Sequence, residues 1–400
     1  MSDEQTEFLA PNFMNPIRLG LIGCGMIVGH HVTSYGEIYE TVPGLFEVAA
    51  ASDLDSERAE NIAAKIGSFQ SSKPVTYTDY KEMLEKEELD AVSVATPHFA
   101  HHQPSIDALN KGLNVVVEKP FAITIKAGLK MLQAVKKNNR ILACAEPMRR
   151  SVGNRTIDWA INRAGLIGEP RFFFYQHARF SLGVVVGTPW RHQKLMSGGG
   201  WVHDGEVHYI DFLRMVFGDV AEVYAKIRNF ETTRYLDTQN WKNPVPSDVE
   251  DTAFAILTFE SGLLASFTWT HAATGKPLDI VRYYGSEGSL DNEGVLSKSG
   301  EYTPMSELEN KFMESITAKE KEKFFPHGMT NPSAIAFYNF FDSIRTGEKP
   351  EISGEDAFAA QAICEAVYES DACGQAVRME DVISGRFNAF QREIDERWNI

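Results

Sequence analysis

The stretch Ile-Arg-Leu-Gly-Leu-Ile-Gly-Cys-Gly-Met-Ile-Val-Gly, Ile17–Gly29, decides the first half of the fold. It begins as an apolar run typical of a buried strand and ends in a glycine turn that leads into a helical pattern. Such a turn lets the backbone approach a pyrophosphate, and the helix N-terminus stabilises the phosphate charge. Gly23 and Gly25 hold the first two positions of this motif. The third position, which serves helix–sheet contact rather than phosphate binding, holds Val28. The stretch therefore predicts a dinucleotide-binding strand–turn–helix unit.

Short apolar runs separated by amphipathic segments continue this pattern. The further runs are Phe46–Ser52, Ala91–Ala95, Leu113–Val117 and Ile141–Ala145. Strands that are apolar throughout are buried on both faces, and their alternation with helices favours a parallel sheet with right-handed crossovers. Residues 1–146 are therefore predicted to form an α/β Rossmann domain with a parallel sheet.

The second predicted strand ends in a carboxylate, Asp53, at the position where such domains bind a ribose 2′-OH. Leu54 follows it, and we find no Arg or Lys beside Asp53 to receive a 2′-phosphate. This favours NAD over NADP as the cofactor. A second interpretation is that Asp53 caps a helix starting near Ser56, and the two roles are compatible.

After Glu146 the pattern changes to runs of aromatic and β-branched residues, of which Leu263–Trp269 is one. Ser261-Gly262 between two such runs predicts a tight hairpin. Residues 147–400 are therefore predicted to form an α+β domain with a large, mainly antiparallel open sheet and helices on one face. Outward apolar residues on this sheet would need cover, which predicts a homodimer or homotetramer.

Composition limits the partners and the compartment. The chain has 400 residues and a formal net charge of -16, which argues against binding to nucleic acid or to an anionic membrane. The four cysteines include no CxxC pair, which indicates a reducing compartment. The N-terminus lacks the pattern of a secretory signal, and no apolar run is long enough to cross a membrane. We therefore expect a cytoplasmic protein.

Candidate catalytic residues occur at two separate places. Lys119 follows the run Leu113–Val117, at the strand end where open parallel sheets bind ligands. Pro120 restricts the backbone there and can form a cis bond. Asp204 and His208 would lie one turn apart on one face if a helix covers them. Histidine has an unperturbed pKa of about 6.5, which suits it to accept a hydroxyl proton at neutral pH.

Together with other motifs, these residues resemble the glucose–fructose oxidoreductase / inositol dehydrogenase / MocA (Gfo/Idh/MocA) family. The shared motifs are the Gly23–Gly25 loop with His31, Ala95-Thr96-Pro97, Glu118-Lys119-Pro120, Trp190-Arg191 before Gly198–Gly200, and Asp204 and His208 followed by Asp211. The resemblance implies that Lys119, Asp204 and His208 form the catalytic group. It also implies that Trp190 and Arg191 lie near the cofactor, and Pro97 near its adenosine side or the nicotinamide entrance.

From these observations we assign residues to two binding sites and expect no metal ion. The residues assigned to NAD are Gly23, Gly25, Met26, Ile27, Asp53, Thr96, Pro97, His98, Glu118, Lys119, Trp190 and Arg191. Those assigned to the substrate are Lys119, Arg149, Asp204, Glu206 and His208. Glu206 and His98 depart from the family, which often has Gly and Asn there. Glu206 would contact substrate or act as a second acid or base, unless it is a solvated helix residue.

The predicted reaction is hydride transfer between NAD and a secondary hydroxyl of a sugar, sugar derivative or cyclitol. One alternative is redox-assisted glycoside hydrolysis, in which a sugar carbon is transiently oxidised, the glycosidic group is eliminated and the product is reduced. A further alternative, a non-catalytic nucleotide-binding regulator, predicts loss of Lys119 or His208, and both are present. The basic residues between Arg149 and Lys194 would bind an acidic sugar, or else neutralise pyrophosphate and the surface.

Overall fold

The computed structural model describes residues 15–400. The sequence predicts no secretory signal at the N-terminus, and residues 1–14 of that segment lie outside the described residues. Within residues 15–400, no helix combines the length and the apolar character needed to cross a membrane.

The first sheet is parallel and contains six strands. Its strands are β1 (Ile17–Ile22), β2 (Phe46–Ser52), β3 (Val75–Tyr77), β4 (Ala91–Val94), β5 (Asn114–Val117) and β6 (Leu142–Cys144). The helices that alternate with them are α1 (Met26–Thr41), α2 (Ser56–Ile66), α3 (Tyr80–Lys86), α4 (His102–Asn110) and α5 (Ile125–Asn138). The strand order is β3-β2-β1-β4-β5-β6, and every neighbouring pair is parallel. The predicted Rossmann fold is confirmed.

This strand order creates the ligand crevice. The chain leaves β1 toward β2 on one side, and the later strands continue from β4 on the other side. The connections diverge at this point, so a crevice opens outside the carboxyl ends of β1 and β4. Strand β4 is buried along its whole length, as expected for a strand covered by helices on both faces.

The second half contains a nine-stranded sheet and a separate hairpin. The strands are β7 (Pro170–Ala178), β8 (Val220–Arg228), β9 (Thr233–Asp237), β10 (Lys242–Pro246), β11 (Thr252–Phe259), β12 (Leu264–Thr270), β13 (Leu278–Gly285), β14 (Gly288–Asp291), β15 (Gly294–Ser297), β16 (Tyr302–Pro304) and β17 (Val377–Arg378). The large sheet has the order β16-β15-β14-β13-β7-β12-β11-β8-β17, while β9 and β10 form the hairpin. Only β7 and β12 pair in parallel there, so the predicted mainly antiparallel sheet is confirmed.

The helices of this half are short except for those that cover the sheet or the first domain. They are α6 (Val152–Asp158), α7 (Lys194–Ser197), α8 (Trp201–Asp204), α9 (Glu206–Phe217), α10 (Met305–Ser315), α11 (Ala318–Phe324), α12 (Pro332–Thr346), α13 (Gly354–Cys373), α14 (Met379–Ile383) and α15 (Arg392–Trp398). Helices α9 and α13 contact each other, and α13 lies on β8. The predicted hairpin at Ser261-Gly262 joins β11 to β12.

The two faces of the large sheet differ. On the covered face, Phe173 and Tyr175 of β7 and Phe267 of β12 are buried. The opposite face exposes large apolar side chains at alternating positions of neighbouring strands. They are Phe172, Phe174, Tyr224, Phe254, Ile256 and Leu264, which together we call the outer apolar face.

Helix α12 comes late in the sequence but packs on the first domain. The ring of Phe337 contacts Tyr35 of α1 at a centroid distance of 4.8 Å, and Phe341 stacks on Phe46 at 4.5 Å. Buried aromatic side chains at helical spacing therefore tie the end of the chain to its beginning. The division into residues 1–146 and 147–400 stays our proposal, with α12 as a covering helix of the first domain.

Candidate active site

A cleft of about 1250 Å³ lies at the carboxyl edge of the parallel sheet and extends to Asp204, the last residue of α8. Gly23 has a φ of +91°, and a Cβ there would lie 2.6 Å from the carbonyl oxygen of Ala95, so the turn requires glycine. At Gly25, which caps α1, a Cβ would meet no protein atom within 4 Å. This open space beside a helix N-terminus fits a pyrophosphate.

Asp53 organises the adjacent loop. Its Oδ2 accepts a hydrogen bond of 2.7 Å from the backbone N–H of Cys24, and its Oδ1 accepts one of 2.9 Å from Asp55. The cap of α2 is Asp55, so the capping role considered for Asp53 belongs to its neighbour. Arg58 also lines the cleft and lies 3.3 Å from Asp55. Arg58 was not predicted from the sequence, because it lies on the first turn of α2 rather than beside Asp53.

All twelve residues assigned to NAD line this one cleft. Thr96 and Pro97 follow β4, and Glu118 and Lys119 follow β5, so adjacent parallel strands deliver them to one edge. Trp190 arrives from the second half and packs against His98 at a ring-centroid distance of 4.7 Å. The cleft thus joins both halves of the chain, and the contribution of each residue to NAD binding stays a prediction.

The carboxylate of Asp204 is surrounded by three basic side chains, those of Lys119, Arg191 and His98. Nζ of Lys119 donates to the backbone oxygen of Asp204 at 2.8 Å and to Oδ1 at 3.3 Å. Arg191 donates from Nε to Oδ2 of Asp204 at 2.9 Å, and His98 Nε2 lies 3.3 Å from Oδ1. Burial alone would raise the pKa of Asp204, but Lys119, His98 and Arg191 hold it well below its ordinary value. The peptide bond between Lys119 and Pro120 is cis.

The expected continuous helix from Asp204 to His208 is wrong. Helix α8 ends at Asp204 and α9 starts at Glu206, with Gly205 between them. A Cβ at Gly205 would lie 2.1 Å from the ring of Trp201, so glycine is needed where that ring crosses the chain. Asp204 and His208 consequently have different partners.

The partner of His208 is Glu146, a residue that the sequence argument missed. Nδ1 of His208 lies 2.5 Å from Oε2 of Glu146, and the His208 side chain is 23% exposed. Burial would raise the pKa of Glu146, but His208, the backbone N–H of Met148 and Lys119 lower it. The sequence does contain a signal for Glu146, because this residue comes two positions after the last strand of the sheet, at the same edge as Lys119.

A second imidazole–carboxylate pair supports the cleft from behind. Nε2 of His31 lies 2.7 Å from Oε1 of Glu118, and both side chains are buried. Burial would raise the pKa of Glu118, but His31, Lys119 and His101 lower it to about 2. Oε2 of Glu118 accepts the backbone N–H of Lys119 at 3.0 Å. This pair therefore fixes the backbone from which Lys119 extends.

Glu206 is buried, which excludes the solvated-residue interpretation. Its Oε2 accepts a hydrogen bond from the hydroxyl of Tyr175, and its Oε1 accepts one of 2.9 Å from Nε1 of Trp201. Burial raises the pKa of Glu206 to about 7. Glu206 lies near His208, but both of its oxygens already have partners in the protein.

Most basic side chains between Arg149 and Lys194 bind carboxylates of the chain itself. Arg149 is buried and pairs with Asp211 through two hydrogen bonds, so we attribute it to packing rather than to the substrate. Further such pairs are Arg150 and Arg155 with Glu351, Arg191 with Asp204, and Lys194 with Glu393. Arg179 differs, because it is exposed and donates from Nε to Nε2 of His271 at 3.0 Å, and it forms no ion pair with a carboxylate of residues 15–400.

Comparison with known proteins agrees with this architecture. The family model "Oxidoreductase family, NAD-binding Rossmann fold" matches residues 17–146, and the Gfo/Idh/MocA C-terminal domain model matches residues 160–291. The chain is 27% identical to 1,5-anhydro-D-fructose reductase of Ensifer adhaerens, over 91% of this chain and 98% of that protein. It is 23% identical to myo-inositol 2-dehydrogenase of Thermotoga maritima, over 92% and 100% of the two chains.

A solved structure of levoglucosan dehydrogenase in complex with NADH has the same fold. It superposes with a TM-score of 0.72 at 24% identity and covers 91% of this chain and 99% of that one. The two family models together span well over half of the chain, in the order that the two sheets require. This protein is therefore an NAD-dependent oxidoreductase of the Gfo/Idh/MocA family.

Proposed function

We propose that this oxidoreductase transfers hydride between NAD and a secondary hydroxyl of a small sugar, sugar derivative or cyclitol, with Lys119, Asp204 and His208 at the reacting carbon. The observation that carries the proposal is the meeting of Lys119 and Asp204 in the cleft that the glycine loop opens. The names of the relatives support the substrate class, because they act on anhydrofructose, inositol and levoglucosan.

In the proposed oxidation, the hydroxyl proton moves to His208 as the C–H hydride leaves and a carbonyl forms. NAD, when bound, supplies the hydride acceptor. Lys119 stabilises the negative charge that develops on the oxygen, since an ammonium group in a partly desolvated cleft interacts strongly with an alkoxide. Asp204 and its backbone oxygen hold the ammonium group in place. The reverse sequence of proton transfers serves reduction.

Redox-assisted glycoside hydrolysis, the alternative raised by Glu206, needs a carboxyl group free to act on the substrate. Tyr175 and Trp201 bind both oxygens of Glu206, which argues for a structural role. The relatives named above are dehydrogenases or a reductase. We therefore propose net hydride transfer rather than glycoside cleavage.

The ion pairs within the protein also bear on whether the substrate carries a negative charge. The many arginines between residues 149 and 194 suggested an acidic sugar as substrate. However, Arg149 already binds Asp211, and Arg191 already binds Asp204. Among the described residues of this stretch, Arg171 and Arg179 are the exposed arginines that form no ion pair with a carboxylate. A matched pair such as glucose and glucuronate tests their role, and equal or better kcat/KM for the neutral sugar would remove the acidic preference.

We also propose that two copies associate through the outer apolar face. Exposed Phe172, Leu264 and Ile256 lie on β7, β12 and β11, which are adjacent strands of one open sheet, and contiguous apolar surface of this kind favours association. A second pairing of such dimers would give a homotetramer.

The function is tested by incubating the enzyme with NAD and a panel of sugars and cyclitols while NADH absorbance is followed. Chromatography of the products in the same samples detects glycoside cleavage. NADH formation with a polyol, without release of an aglycone, supports the proposal. Cleavage without accumulation of NADH would overturn it in favour of the hydrolase.

A further inference from the structure

We propose that Glu146 is a positioning residue that orients His208 and fixes the ring nitrogen available to the substrate. The inference rests on the proposed function, in which His208 takes the hydroxyl proton. The resemblance to the family places Lys119, Asp204 and His208 in the catalytic group and gives no role to Glu146.

The pair is built from two rigid parts of the fold. Glu146 comes two residues after β6 and is only 3% exposed, and His208 lies in the first turns of α9. One oxygen of Glu146 accepts from Nδ1 of His208 at 2.5 Å, and the other accepts the backbone N–H of Met148 at 2.8 Å. Both oxygens are occupied, so the carboxylate cannot rotate freely.

This contact determines the tautomer of His208. An ionised carboxylate can only accept hydrogen bonds, so the ring proton of neutral His208 lies on Nδ1. Nε2 then carries a lone pair, and none of the described residues forms a hydrogen bond with it. Because the side chain is partly exposed, Nε2 is the nitrogen that can receive a proton from a bound hydroxyl.

Asp204 is not available for this task. Lys119 and His98 face its Oδ1, and Arg191 donates to its Oδ2. The cluster therefore uses Asp204 to hold cations, and Glu146 is the carboxylate that contacts the imidazole.

Three other charged or titratable groups interact electrostatically with the pair. Lys119 and Asp211 interact with Glu146, Glu206 interacts with His208, and Asp211 is itself paired with Arg149. When Nε2 takes the hydroxyl proton, the resulting imidazolium is stabilised by the carboxylate at Nδ1. NAD, when bound, would accept the hydride from the same substrate carbon, so that charge and electrons would balance.

Two substitutions of Glu146 distinguish the effect of its hydrogen bond to His208 from the effect of its negative charge. Glu146→Gln keeps an oxygen that can accept from Nδ1 but removes the negative charge, whereas Glu146→Leu removes both. Glu369→Gln is the matched control, because Glu369 is also buried and also accepts backbone N–H groups. Those groups belong to Phe390 and Gln391, not to residues around His208. The measurements are kcat, KM, NADH affinity and the ¹⁵N spectrum of the His208 ring, assigned with His208→Gln.

We expect kcat to fall by about 10- to 100-fold in Glu146→Gln and by about 10²- to 10⁴-fold in Glu146→Leu. NADH affinity should stay within about threefold, because neither Glu146 nor His208 is assigned to the cofactor. KM for the substrate should change less than kcat, because Glu146 acts through His208 and is not itself assigned to the substrate. The parent and Glu146→Gln should protonate Nδ1, and Glu146→Leu should shift the proton toward Nε2. The control should match the parent in all of these.

A Glu146→Leu enzyme with kcat within about threefold of the parent would overturn the inference while leaving hydride transfer intact. So would a parent spectrum with the proton on Nε2. That spectrum needs no substitution of Glu146, so it tests the inference even if the Glu146 variants do not fold. If the parent oxidises no polyol, the proposed function fails, and the tautomer still tests the positioning role.

Discussion

Alanine at Gly23 and at Gly25 should damage the enzyme in two different ways. Gly23 adopts a φ of +91°, which costs a residue with a Cβ about 1–2 kcal/mol. The added carbon would also lie 2.6 Å from the carbonyl oxygen of Ala95, closer than any real contact. Gly23→Ala should therefore lower the free energy of unfolding by about 3 kcal/mol.

Gly25→Ala should leave the fold nearly unchanged, because its φ is -72° and no protein atom lies within 4 Å of the added carbon. That carbon would occupy the space assigned to the pyrophosphate. We expect the Kd for NADH to rise at least about tenfold, or about 1.4 kcal/mol.

Calorimetric titration with NADH and thermal unfolding of both variants distinguish these effects. Gly36→Ala is the control, because Gly36 lies within α1 and a Cβ there would only touch Phe69 at 3.7 Å. It should bind NADH as the parent does and gain about 0.5–1 kcal/mol of stability. If Gly25→Ala binds NADH as tightly as the parent, the placement of the pyrophosphate is incorrect.

Three further predictions concern other parts of the molecule. Asp53→Ser should weaken the preference for NAD by improving NADP binding, because Arg58 also lines the cleft and can receive the 2′-phosphate. If calorimetry shows that the parent binds NADP more tightly than NAD, the role of Asp53 is contradicted. Burial raises the Glu206 pKa from 4.5 to about 7, so the stability of the parent relative to Glu206→Gln should fall as pH rises from about 4.5 to about 7, by up to about 3 kcal/mol. Denaturant unfolding at pH 5 and pH 8 measures this, and a pH-independent difference would show that Glu206 is not buried as a neutral acid. Light scattering at micromolar concentration should give the mass of a dimer or a larger assembly. Phe254→Lys combined with Ile256→Lys should shift this mass toward that of the monomer. A monomeric parent would refute the outer apolar face as an interface.

The first domain could be predicted because its signals are local. The strand–turn–helix at Ile17–Gly29 has its own periodicity, and residues at the ends of parallel strands share one edge whatever the details. This is why Asp53 and Lys119 were assigned to the cleft that they line. Their placement needed only strand ends, which short apolar runs reveal.

The partners of charged side chains could not be predicted in this way. Glu146 and His208 are 62 positions apart, and nothing local indicates that they meet. Arg149 looked available for an acidic substrate until Asp211 was found beside it. The helix break at Gly205 likewise depends on where the ring of Trp201 packs, which is a tertiary contact.

The most direct test of the central claim is the effect of Lys119→Ala and His208→Ala on the oxidation of an active polyol, with NADH affinity measured in parallel. We predict that Lys119→Ala abolishes turnover and that His208→Ala lowers kcat by about 10²- to 10⁴-fold, while both variants still bind NADH. Unchanged turnover in the Lys119 variant, or a rate within about threefold of the parent at every pH in the His208 variant, would contradict the account.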